Sequence, residues 1–107
     1  MDTITDAYAH RLESELAQFE ANAGLWRLEI DRHAFRLREN QAVGIRADSD
    51  VDAAKIALEG VVFEIDRLQA FAHSHAGMTA PMVLRLAEAG LALESARRRL
   101  HRALSDS

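Results

Sequence analysis

Val51, Ala54, Leu58, Val61, Ile65, Leu68 and Ala72 follow one another at alternating spacings of three and four residues. That seven-residue rhythm lines them along one stripe of an α-helix and demands a second helix to cover the stripe. A β-strand cannot use it, because side chains on a strand change face at every residue. The middle of the chain is therefore helical, and it packs against other helices.

Local signals on either side extend this to three helices. A first helix is expected over residues 4–43, with the stripe Ile4, Tyr8, Leu12, Leu16, Phe19, Ala23, Trp26, Ile30, His33 and Leu37. Thr3 with Asp6 resembles a capping box in which Asp replaces the usual Glu or Gln. Asn22 and Gly24 mark a place for a kink, and Gly44 suits a left-handed C-terminal stop. Residues 45–50 read as a loop, with Ser49 or Asp50 as N-cap of a second helix over 50–74. Gly77 breaks the chain again. Thr79 then caps a third helix over 80–104, with Pro81 in its first turn, where a missing N–H costs little. Its stripe is Met82, Leu86, Ala89, Leu93, Ala96, Leu100 and Ala103.

Short connections favour antiparallel neighbours. The expectation is all-α: a single domain over 1–107, built as a three-helix antiparallel bundle with a long first helix. The N-terminal arm of that helix, with Tyr8 and Leu12, is expected to project and to need a partner. Composition agrees with a folded domain: of 107 residues, 49% are hydrophobic, 28% are charged and one is proline. A net charge of −4 argues against bulk attraction to nucleic acid or anionic lipid. The absence of cysteine excludes disulfides, a thiolate nucleophile and Cys-based zinc sites. No apolar run reaches the roughly 18 residues of a membrane span, and the first residues lack a signal-peptide pattern. A cytoplasmic location is expected. Arginine almost wholly replaces lysine, Lys55 excepted, which reads as a GC-rich bacterial genome.

A second pattern lies off the main stripes. Leu28 and Phe35, Ile56 and Phe63, and Leu84 and Leu91 are each seven residues apart, so each pair stacks on one line of its helix. In a solitary bundle those lines are polar. Burying a side chain of this size is worth about 1.5–3 kcal/mol, so six of them point to an intermolecular face. A homodimer forming a four- or six-helix bundle is the simplest cover. Leu28-Glu29-Ile30-Asp31-Arg32 also echoes Phe63-Glu64-Ile65-Asp66-Arg67, as amphipathic helices often do.

Charge is segregated too. Residues 1–24 sum to −4, 25–47 to +2, 48–75 to −4 and 76–107 to +2. With the ends of the first and third helices side by side, Arg36, Arg38 and Arg46 would gather near Arg98, Arg99 and Arg102. This forms an arginine pole that steers an acidic partner. Helix-dipole complementarity accounts for part of it, and without interleaved aromatics a nucleic-acid ligand is not expected.

Histidines offer little chemistry. His73 and His75, near Met78, point about 200° apart on a helix, so they read as helix-end groups rather than metal ligands. His33 reads as a polar member of the first stripe, and His10 and His101 as surface. Arg67, six residues before His73, resembles the Arg-to-His spacing of HEPN-type ribonucleases. Leu68 departs from that pattern, and Arg27 with His33 matches it as well. One long and two shorter helices also resemble the outline of helical chorismate mutases, but Lys55 falls in the second helix rather than the first. Neither resemblance assigns a residue here. Paired catalytic carboxylates, an activated nucleophile and a phosphate loop are missing from the pattern.

The sequence thus leads to a non-enzymatic protein–protein interaction module, an adaptor, regulator or chaperone-like protein without cofactor or metal. It self-associates through Tyr8, Leu12, Trp26, Leu28, Phe35, Ile56, Phe63, Leu84 and Leu91.

Overall fold

The computed structural model describes residues 3–74 and 77–106, with side chains described from residue 7 onward. Three helices make up the described residues: α1 (Thr3–Ala42), α2 (Asp48–Ser74) and α3 (Ala80–Ser105). The molecule measures 65 × 19 × 17 Å, so its length is set by α1 alone at about 1.5 Å per residue. Thr3, Asp6 and Ile4 lie outside the described side chains, as does the whole of His75.

Each helix end has a local cause. α1 stops in a Schellman arrangement. Gly44 takes φ +72°, its N–H reaches the Gln41 carbonyl at 3.0 Å, and the Ile45 N–H reaches Asn40 O at 2.8 Å. α2 begins earlier than Ser49 or Asp50. The N–H groups of Asp50 and Val51 bond the Ala47 carbonyl at 3.0 and 3.1 Å, so neither residue serves as the cap. Asp48 and Asp50 instead place negative charge in the first turn, where the helix dipole favours it. At α3, Thr79 Oγ1 accepts the Met82 N–H at 3.4 Å and Pro81 sits in the first turn, as its sequence predicts. α1 runs through Asn22 and Gly24 as a single helix.

Contacts fix how the helices lie. Phe19 meets Phe71, Asn22 meets Glu64, and Asn40 meets Asp50, so positions on α2 fall as those on α1 rise. Between α1 and α3 both rise together: Glu20 with Arg85, Asp31 with Arg99, Gln41 with Asp106. This α1–α3 contact is the most extensive of the three.

The core is one continuous column. Leu16, Ile30, Val61, Leu93 and Leu100 are its largest fully buried members. The third stripe is buried as its spacing predicts, apart from the half-buried Met82. The second drifts. Ala57 and Phe71 are buried, while Leu58 is half-buried and Ala72 exposed. A strict seven-residue stripe turns about 20° per heptad on a helix of 3.6 residues per turn, so its ends slide off the core. Phe71 takes the place expected for Ala72, with its ring centroid 5.1 Å from that of Phe19.

The projecting arm is shorter than the helix lengths imply. Leu12 is 3% exposed inside its own bundle, and Tyr8 lies beside Gly77 on the α2–α3 connection. Because α2 begins level with the end of α1 and runs back along it for 27 residues, it covers Leu12 without a second chain.

Candidate interaction surface

All six residues of the second pattern are exposed. Leu28, Phe35, Ile56, Phe63, Leu84 and Leu91 range from 59% to 69% exposure, and Leu25 joins them at 67%. Each pair stands opposite the buried stripe of its own helix. Each helix therefore carries an apolar strip on its outer side, and a single contact covers only part of them.

Two residues expected at an interface have other work. Leu12 belongs to the core, so the structure removes it from that set. Trp26 is half-buried, packed on the core and on α2 at Gly60, where a Cβ would overlap the indole. Tyr8 stays 40% exposed.

One buried carboxylate carries no signal in the sequence. Glu64 is 4% exposed, at the α1–α2 seam. It accepts hydrogen bonds from Asn22 Nδ2 at 3.3 Å and Arg67 Nη1 at 3.0 Å. Gln18 Nε2 in turn donates to Asn22 Oδ1 at 3.0 Å. The Arg67 guanidinium stacks 5.5 Å over the Phe19 ring, so the buried charge has a cation and an amide against it. The Leu28–Arg32 echo is visible at its ends. Arg32 pairs with Glu29 as Arg67 pairs with Glu64, but at 3.6 Å and in the open.

Arg67 and His73 do not form a joint site. Arg67 is held by Glu64 and Phe19, while His73 Nδ1 lies 2.7 Å from Gln69 O of its own helix. His33 Nε2 faces Glu29 at 3.2 Å, as a polar neighbour on α1. Among the described residues, no group of three or more His, Asp or Glu is placed to hold a metal ion. Among the described residues, no helix is long and apolar enough to cross a membrane.

The arginine pole forms, but carboxylates answer it. Between Glu29 and Asp52 and between Glu94 and Asp106 there are eight arginines and eight acidic residues. Arg36 pairs with Asp50 at 3.8 Å, Arg46 with Asp48 at 3.5 Å and Arg99 with Asp31 at 3.0 Å. Arg38, Arg98 and Arg102 have no carboxylate partner among the described residues. Arg98 and Arg102 flank a shallow groove of about 360 Å³ with His101 and Ser105.

At the opposite end Arg85 clamps α3 to α1. Its Nε and Nη2 take both oxygens of Glu20, and Nη1 reaches Glu13 Oε1 at 2.6 Å. Hydrogen bonding from Arg85 holds the Glu20 carboxyl below the ordinary glutamate value, against a smaller opposing effect of burial.

Comparison of the chain with protein-family models, with curated proteins and with solved structures finds no match.

Proposed function

We propose that this chain is an antiparallel three-helix interaction module that associates with a second copy of itself and presents the remaining apolar strips to another protein. The observation that carries the reading is the exposure of Leu28, Phe35, Ile56, Phe63, Leu84 and Leu91, each at 59% or more, on helix backs that a solitary bundle makes polar. Leaving them wet forgoes stabilisation that association recovers. A single two-fold contact uses one or two strips. A dimer then retains others, as an adaptor, regulator or chaperone-like protein requires. Arg38, Arg98 and Arg102 supply positive charge at the far end for an acidic partner.

The test is Phe35→Glu with Phe63→Glu. Both side chains are exposed within one chain, so the double variant keeps its helicity and loses association. If it unfolds instead, these rings are structural and the reading is wrong.

A further inference from the structure

We propose that the second copy docks on the face shared by α1 and α2, related by a two-fold axis running along the bundle, so that α1 of each copy lies against α2 of the other. This rests on the self-association proposed above and specifies its geometry.

Level and charge carry the argument. The Asn22–Glu64 and Trp26–Gly60 contacts set α1 beside α2 so that Leu25 falls within about one turn of the level of Phe63 and Arg32 within about one turn of Ile56, with Glu59 about a turn further along α2, within reach of the long arginine side chain. Leu25 and Arg32 are seven residues apart on one line of α1, as are Ile56 and Phe63 on α2. All are exposed: Leu25 at 67%, Ile56 at 69%, Phe63 at 66% and the Arg32 side chain at 74%.

The two halves of this face also differ in sign. From Leu25 to Ala42, α1 has four arginines against three carboxylates, whereas the stretch of α2 level with it, residues 48–61, has four carboxylates against one lysine. A rotation that exchanges α1 for α2 lays the basic half on the acidic half, twice, which is the condition for a self-complementary interface. It sets Leu25 against Phe63 of the second copy. It also lays the Arg32 stem along Ile56 of the second copy, with the guanidinium at Glu59. Arg32 gives up little to do so, since its Glu29 contact is long, at 3.6 Å, and solvent-exposed. Pairing α2 with α2 of the second copy would instead bring together two helices that are both acidic.

Charge reversal tests this. Arg32→Glu and Glu59→Arg are made in separate chains, and dimer dissociation is measured by sedimentation for each alone and for their equimolar mixture. Each variant alone places like charges across both contacts and is expected to weaken the dimer by about tenfold or more. The mixture places opposite charges at both and restores near-native affinity as a heterodimer. If single variants dimerise like the original chain, or the mixture is no better than either alone, this docking is overturned while self-association stands. A chain that never dimerises overturns both.

Discussion

Trp26 of α1 rests on the bare backbone of Gly60 in α2, at a spot where a Cβ would overlap the indole. The two residues form a lock between the helices: a ring on one side, and a glycine that leaves room for it on the other. Glycine in a helix interior costs about 0.5–1 kcal/mol relative to alanine, so its presence there needs this packing reason.

Gly60→Ala is expected to destabilise the fold by about 1–2 kcal/mol, because the clash outweighs the gain in helix propensity. Trp26 fluorescence shifts to the red as the ring is pushed outward. In a Trp26→Ala background the same substitution changes sign and stabilises, by up to about 1 kcal/mol. Denaturant unfolding of the four combinations reads this directly.

Arg67→Ala removes the cation against Glu64, which is 4% exposed, and bares the Phe19 ring. A loss of about 1–3 kcal/mol is expected from chemical unfolding. Glu64→Gln added to Arg67→Ala recovers part of it, since the buried group is then neutral and still meets Asn22.

The Arg85 clamp has a pH signature. Glu20 has its folded value below the unfolded one, so its contribution to stability is fully present above the ordinary glutamate range. That contribution is lost as pH falls through the lowered folded value. An NMR titration of the Glu20 carboxyl is expected to place it below the ordinary value of about 4.3, and Arg85→Gln returns it toward that value. Stability of the two proteins converges under strong acid.

Leu93 and Leu91 lie two residues apart on α3 and differ completely in surroundings, at 0% and 67% exposure. Leu93→Ala is expected to cost about 2–5 kcal/mol through the cavity it leaves. Leu91→Ala changes the stability of the single chain by no more than about 0.5 kcal/mol. An equal cost at both positions would show that Leu91 is covered within one chain.

Much of the scaffold is legible from residues acting locally. Gly44 and Thr79 with Pro81 mark their helix ends because a left-handed stop and a side-chain cap are local devices. The start of α2 is not legible because the Ala47 carbonyl takes the first bonds, and a backbone acceptor leaves no trace in residue type. Leu12 reads as outward because helix length suggests a long free arm. Where α2 begins along α1 decides its cover, and that offset is a tertiary fact. Glu64 is hidden for a related reason: a carboxylate reads as surface unless Asn22 and Arg67 stand beside it. The arginine pole was visible in the chain, but the aspartates facing it across the loop and along α1 emerge only on folding.

The most direct test of self-association is absolute mass in solution, by light scattering behind a sizing column across a concentration range. A dimer, at twice the 11.9 kDa of one chain, is predicted, giving way to the single chain only on dilution. A mass of 11.9 kDa at every concentration would contradict it, and would mean that all three apolar strips stand uncovered by a second copy.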